Sequence, residues 1–357
     1  MEFLLEYGIF FAKVATFVVA AIIIIVVAVQ SSQGGGESAG RLEVKKVNER
    51  FEQMESSLRD SMLEPEEAKK WAKEKKDADK LKAKEAKRLA KKASKEAAET
   101  SEPKQKNVYV LEFDGDMKAS AVENFREEIT TLLTMATATD EVVVRLESPG
   151  GMVHSYGLAS SQLARIKSAG IPLTICVDRV AASGGYMMAC IADKILAAPF
   201  AVIGSIGVVA SLPNFNKVLK KFDVDYELLT AGEYKRTLTM LGENTESGRK
   251  KFIQDLEQTH DLFKEFVSQY RPILDIAAVA TGETWYGQKA IENQLIDGLS
   301  TSDEYIAQCV KDASVYEIKF VQKKSWQEKF GLSAQAAIEN SLDKFVNKAL
   351  HDWTSRH

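Results

Sequence analysis

From Asn107 onward the chain alternates short β-branched, apolar runs with amphipathic stretches of helical period, and this alternation restricts the fold more than any other feature. Val108–Phe113, Glu141–Leu146, Leu173–Val177, Lys194–Ala197 and Val224–Leu229 read as strands. Ala119–Met135, Ser155–Ser168, a segment from Tyr186 to about Ala192, Asn216–Phe222 and the long Glu246–Tyr270 read as helices. Parallel strands need crossover connections, so strand–helix repetition predicts an α/β fold with a mostly parallel sheet covered by helices. Met187–Val209 is apolar enough to suggest a membrane span. Asp193 and Lys194 lie inside it and Pro199, Gly204 and Gly207 interrupt it, so buried helix, strand and loop fit better.

A chain of 357 residues, 45% apolar and 27% charged, can bury a sizeable core. A net charge of −4 gives no global basic field for nucleic acid. Cys176, Cys190 and Cys309 are widely spaced, and the first two lie in apolar segments, so they read as small buried hydrophobes. No cluster of His, Cys and carboxylates has ligand spacing, and neither a metal nor an organic cofactor is expected.

The N-terminus departs from a globular pattern. Tyr7–Val29 is 23 residues with one charge, Lys13, long enough for a bilayer core that needs about 20. Glu2 and Glu6 precede it with no basic side chain, and it exceeds the ~7–15 apolar residues of a secretory signal. Residues 1–30 are therefore expected to be a retained transmembrane anchor. Arg41, Lys45, Lys46 and Arg50 follow, partly offset by Glu37 and Glu43, which leans the C-terminal bulk toward the cytoplasm.

Residues 31–106 read as tether and spacer. Gln30–Gly40 is rich in Ser and Gly. Arg41 to about Leu63 carries Val44, Val47, Phe51, Met54 and Leu58 at amphipathic helical spacing, and Pro65 opens a second helix. Lys69–Lys95 holds thirteen basic and four acidic residues interleaved with Ala, with little to bury beyond Trp71, Leu81 and Leu89. That is a solvated helical spacer, with contact to anionic lipid headgroups as the alternative. Nucleic acid is disfavoured there, because no aromatics interleave with the charges. The globular unit is expected at 107–312 and a tail at 313–357. In the tail, Ile338, Leu342, Phe345, Ala349 and Trp353 lie at helical spacing, for packing on protein or on a membrane surface.

The segment Ala181-Ala182-Ser183-Gly184-Gly185-Tyr186 places a serine between a strand and a helix, with two glycines after it. Such a turn presents a hydroxyl at a helix mouth, where backbone N–H groups can face an oxyanion. A serine needs a base. Of the histidines His154, His260, His351 and His357, only His154, just after Ser148-Pro149-Gly150-Gly151, is credible, and a structural or surface role suits it better. A lysine with a lowered pKa is the other option, but composition alone does not single out Lys235.

Three segments together resemble the signal peptide peptidase A family of serine proteases: Ser148-Pro149-Gly150-Gly151, Ala182-Ser183-Gly184-Gly185-Tyr186 and Gly204-Ser205-Ile206-Gly207-Val208. Gly232-Glu233-Tyr234-Lys235 resembles the family's lysine segment. Thr281-Gly282, Gly287-Gln288-Lys289-Ala290 and Leu295-Ile296-Asp297 resemble its closing motif. Asn293-Gln294 departs from it where a glycine usually precedes the leucine. The anchor and Lys-rich spacer resemble the SohB-type branch of bacterial inner-membrane proteases.

The resemblance implies a Clp protease/crotonase-like fold of stacked β-α units. It implies Ser183 as nucleophile, Lys235 as general base and Ser205 as the group that orients the lysine amine. The oxyanion hole would come from the N–H of Gly184 and that of Gly150 or Gly151. It further implies homo-oligomers with active sites shared between protomers, and peptide substrates such as signal-peptide remnants or unfolded membrane-proximal segments. A crotonase-like acyl-CoA enzyme is the enzymatic alternative; the anchor and the serine at the turn speak against it. A membrane-tethered peptide-binding scaffold is the non-catalytic one; the presence of Ser183 and Lys235 speaks against that.

Overall fold

The computed structural model describes residues 40–64, part of 66–88, and 106–322. The expected anchor at 1–30 and the amphipathic tail helix lie outside the described residues. Among the described residues, no helix is long and apolar enough to cross a membrane. Those described between Glu66 and Arg88 are helical, as the spacer's composition predicts.

In chain order the elements are β1 (Arg41–Lys46), α1 (Val47–Met62), β2 (Asn107–Asp114), α2 (Val122–Leu132), β3 (Glu141–Glu147), α3 (Val153–Ser168) and β4 (Leu173–Val177). Then come β5 (Val180–Ala182), α4 (Gly184–Ala189), β6 (Lys194–Ala197), β7 (Val202–Gly204), α5 (Asn216–Lys221) and α6 (Glu246–Tyr270). α7 (Ile276–Val279), β8 (Thr284–Tyr286), α8 (Gly287–Glu292), β9 (Gly298–Leu299), α9 (Ser302–Asp312) and β10 (Ser314–Val321) complete the order.

Two sheets result. The larger has the order β1-β10-β2-β3-β4-β6-β9, and β10 through β9 pair in parallel. The smaller has the order β5-β7-β8, with a parallel pair and an antiparallel pair. Alternation along β2 sends Tyr109, Leu111 and Phe113 into the core shared with α2, α3 and α4. Val108 and Val110 go to the opposite face, against Val143, Cys176, Leu196 and Val315. Both faces are covered, which is why β3 and β4 read as continuous apolar runs.

The smaller sheet and β9 are not among the strands read from sequence, and three further segments differ from the expectation. Arg41–Lys46 is a strand, and the helix begins only at Val47. Asn48 pins that junction: its Nδ2 donates to the Val310 and Ala313 carbonyls at 3.2 and 3.0 Å, and its Oδ1 accepts from the Val315 N–H at 2.8 Å. Ser314–Val321 is a strand of the main sheet, in register with β2 from Ser314↔Asn107 to Glu317↔Val110. The compact unit accordingly runs Leu42–Phe320, wider than 107–312. A second unit, Met1–Arg41 with Val321–His357, lies almost wholly outside the described residues. Val224–Leu229 forms no strand. It has no ladder partner among the described residues, and Leu229 is 90% exposed. Met187–Val209 divides into α4, β6, β7 and their connections, as its charges and glycines predict.

Glu128 is a buried carboxyl on α2, 4% exposed, whose Oε1 accepts from the Phe320 N–H at 2.7 Å. Burial pushes its pKa up to about 7 against the opposing pull of that N–H and of Lys319. Between about pH 4.5 and pH 7 the native state keeps a proton that the unfolded chain has released, so stability falls as pH rises through this window. Glu128→Gln should flatten that fall. Denaturant titrations at pH 5 and pH 8 should show the wild type losing up to about 3 kcal/mol more than the variant.

Candidate active site

Ser183 connects β5 to α4 with φ 53° and ψ −119°. An L-residue held there costs about 1–3 kcal/mol and persists only where its neighbours over-determine it. The Ser183 N–H donates to the Gly204 carbonyl at 2.8 Å, and the Ser183 carbonyl accepts from the Met187 N–H at 3.0 Å. One bond secures the turn to β7 and the other begins the helix. From Ala181 to Ala192 every residue is buried except Ser183. The fold thus exposes one position of an apolar segment, and that position is the serine.

The Ser148–Met152 loop lies against this turn. The Ser148 N–H donates to the Val180 carbonyl at 2.9 Å, and the Ala182 N–H donates to the Ser148 carbonyl at 3.0 Å. Gly150 has φ +89°, and a methyl group on it would sit 2.7 Å from Ser183 Cβ and 2.8 Å from the Gly184 nitrogen. Only glycine permits both the conformation and the approach. On Gly151 a methyl would sit 2.2 Å from the Met117 carbonyl oxygen. The Gly150 N–H donates to Ser148 Oγ at 3.1 Å. Among the described residues, the N–H groups of Gly151 and Gly184 have no protein acceptor.

Ser205 enters through strand register. Ala182 pairs with Gly204, so Ser183 and Ser205 occupy the next positions of two adjacent parallel strands. Ser205 has φ 52°, nearly the value at Ser183. Its N–H donates to the Glu283 carbonyl at 2.6 Å, and a methyl on Gly204 would meet the Trp285 ring at 2.8 Å. The closing motif therefore braces the second serine turn through β8. It braces α4 as well: Tyr186 Oη donates to the Leu295 carbonyl at 2.9 Å, and Asp297 receives the Arg271 guanidinium at 2.9 and 3.1 Å. Gln294, where a glycine was expected, sits at φ 59°. The backbone there is left-handed, a conformation that favours glycine.

Lys235 is exposed, and among the described residues its amine makes no hydrogen bond or ion pair; its N–H donates to the Gly232 carbonyl at 3.2 Å. Residues 209–241 around it carry apolar side chains open to solvent, with Val209 91%, Phe222 71% and Tyr234 54% exposed. The structure gathers Ser183, Ser205, Gly150, Gly151 and Gly184, and among the described residues no hydrogen bond joins Lys235 to them. His154 is exposed on the first turn of α3, and His260 Nε2 lies 3.2 Å from the Ile206 carbonyl oxygen.

Sequence reading missed Tyr156 and Asp116. Tyr156 is fully buried on α3, with its hydroxyl donating to the Asp116 carbonyl at 2.8 Å and bonded to the Ser148 hydroxyl. Burial raises its pKa above the ordinary phenol value, so the hydroxyl stays a donor. Its apolar spacing marks it only as core, and nothing local signals the polar junction.

Gly184→Ala tests how tightly the turn is built. The methyl would sit 2.4 Å from Tyr156 Cγ, so about 1–3 kcal/mol of stability and at least about tenfold of any serine-dependent activity should be lost. Gly157→Ala on α3, the helix that carries Tyr156, meets nothing within 4 Å and should instead stabilise by up to about 1 kcal/mol. Thermal melts and turnover of the two variants check both signs.

Comparison with known proteins agrees with this geometry. Residues 2–163 match the N-terminal region of peptidase family S49, and residues 165–316 match peptidase family S49 itself. A probable protease SohB of Haemophilus influenzae is 49% identical over 352 residues, 99% of both chains. One from Buchnera aphidicola is 51% identical over 240 residues, covering 67% of this chain and 71% of that one. A putative signal peptide peptidase SppA of Enterococcus faecium is 30% identical over 190 residues, 51% of this chain and 55% of that one.

Proposed function

The chain belongs to peptidase family S49 and is a serine-type peptidase, and on that premise we propose that it is a membrane-anchored endopeptidase working through a Ser183–Lys235 dyad. The observation that carries the site assignment is Ser183 itself: a strained, partly exposed serine in a buried segment, opening α4 beside two unengaged N–H groups. The finer fold reading is the Clp protease/crotonase type, which suits parallel β-α units with an oxyanion site at a helix start. Family membership gives the acyl-CoA enzyme and the non-catalytic scaffold no support.

In the proposed reaction Ser183 Oγ attacks the scissile carbonyl while the neutral Lys235 amine takes its proton. The tetrahedral oxyanion is met by the N–H groups of Gly184 and Gly151; the Gly150 N–H is already committed to Ser148. Such donors are worth about 3–4 kcal/mol each in the transition state. The C–N bond breaks, Lys235 returns the proton to the leaving amine, and an acyl-Ser183 ester remains. Water then attacks the ester, with Lys235 taking its proton and Ser183 regaining it.

Lys235 must be neutral to act, which requires burial it lacks in one protomer. Packing of the apolar 209–241 surface on a neighbouring protomer would supply that burial. Active sites are accordingly shared in a homo-oligomer, with Ser205 orienting the amine. Extended, apolar-leaning peptides near the membrane are the substrate class, paired as a strand with the 148–151 loop. Signal-peptide remnants fit that class, and one relative is named for such an activity. No metal or cofactor takes part in this scheme. The anchor at 1–30 places the enzyme at the bacterial inner membrane, and charge bias leans the catalytic unit toward the cytoplasm.

Detergent-purified wild type, Ser183→Ala and Lys235→Ala should be compared on casein and fluorogenic peptides. Each variant should lose at least about a thousandfold in kcat, and mixing the two should restore part of the activity. Full activity in either single variant would refute the dyad. Loss without recovery in subunits shown to exchange would refute sharing.

A further inference from the structure

We propose that Tyr156 is a positioning residue for the oxyanion hole, its hydroxyl setting the loop that presents the Gly151 N–H and its ring setting the helix start that presents the Gly184 N–H. The inference rests on the reading of Ser183 as nucleophile.

The hydroxyl argument follows from which groups can donate. The Asp116 carbonyl only accepts, so Tyr156 O–H points to it, at 2.8 Å. The Gly150 N–H only donates, so Ser148 Oγ accepts from it, at 3.1 Å. One proton order then remains for the bond between the two hydroxyls: Ser148 O–H donates to Tyr156 Oη. The chain Gly150 N–H, Ser148, Tyr156, Asp116 carbonyl therefore runs in one direction, with both hydroxyl side chains fully buried. Buried polar groups so linked have no water to replace a lost partner.

Geometry ties this chain to both prospective donors. Ser148 Oγ draws the Gly150 N–H inward, which leaves Gly151 as the next N–H of the loop. Asp116 and Met117 hold the loop's far side, since the Met152 N–H donates to the Met117 carbonyl at 2.9 Å and Gly151 packs against that same carbonyl. On the other side of Tyr156, a methyl on Gly184 would lie 2.4 Å from Cγ and 2.8 Å from Cβ and Cδ1, so the ring and the first helical residue are in direct contact. Phe113 backs the ring edge-on at 6.4 Å between centroids. One side chain thus touches the two elements whose separation determines whether a single oxygen can reach both N–H groups.

The test uses the full-length protein and the variants Tyr156→Phe and Ser148→Ala, normalised by fluorophosphonate titration of Ser183. Tyr156→Phe keeps the ring and removes the hydroxyl. It should lower kcat about 10- to 100-fold with KM within about twofold, and weaken a peptide aldehyde, whose hemiacetal presents an oxyanion, by a similar factor. Ser148→Ala should lose as much, and the double variant no more than the worse single. A purely structural tyrosine would lower the melting temperature and leave the titrated sites with normal kcat and aldehyde affinity; that result overturns the proposal. So does a kcat loss with unchanged aldehyde affinity, or additive losses in the double variant. Should Tyr156→Phe fail to fold, Ser148→Ala with the aldehyde decides alone. Activity retained by Ser183→Ala would instead overturn the nucleophile reading, and is scored separately.

Discussion

Two main-chain hydrogen bonds at Ser148 join the large sheet to the small one, and the rest of the site depends on them. Ser148 ends the β3 segment, yet its N–H and carbonyl pair with Val180 and Ala182 of β5. This places the glycine loop against the serine turn before any side chain contributes. The same residue's hydroxyl then fixes which N–H of the loop remains available. Backbone pairing fixes this placement closely, because ladder bonds are short, directional and mutually reinforcing.

Close approach explains the glycines better than flexibility does. Gly150, Gly151, Gly184 and Gly185 each face a neighbour nearer than a methyl group allows, and those neighbours are largely backbone or the buried Tyr156 ring. Strain at Ser183 and Ser205 is held in place by this interlocking, with one ladder bond and one brace from β8. The closing motif near the end of the unit is thereby part of the site, although its residues lie about a hundred positions from the serine. Arg271, 5% exposed and paired with Asp297, anchors that brace; removing one member of such a pair leaves a desolvated charge, which is far more costly than losing a surface ion pair.

Much of this was legible in sequence. Leu173–Val177, Lys194–Ala197 and Glu246–Tyr270 appear where their periodicity places them, because burial on both faces or one stripe imposes a recognisable pattern. The Ser183 turn was legible too, from a serine and two glycines set between a strand-like and a helix-like segment. The edge strand β1 and its neighbour β10 were not. Arg41–Lys46 is mostly exposed and highly charged, and its strand form comes from pairing at an edge that local propensity does not report. Val224–Leu229 shows the converse: good strand chemistry without a partner stays irregular.

By itself the sequence determined the parallel β-α framework, the serine between small residues and the glycine positions, because each leaves a local pattern of period, size or special backbone; the lysine segment stood out only by resemblance to a family. Only the tertiary structure decided that Ser183 and Ser205 directly follow the paired residues Ala182 and Gly204, that Gly150 spends its N–H on Ser148 while Gly151 and Gly184 keep theirs, and that Tyr156 touches both Ser148 and Gly184. It also decided that Lys235 is exposed, with no hydrogen bond to them among the described residues. These are relations between residues distant in the chain, governed by hydrogen-bond competition and steric contact, and no local pattern encodes them.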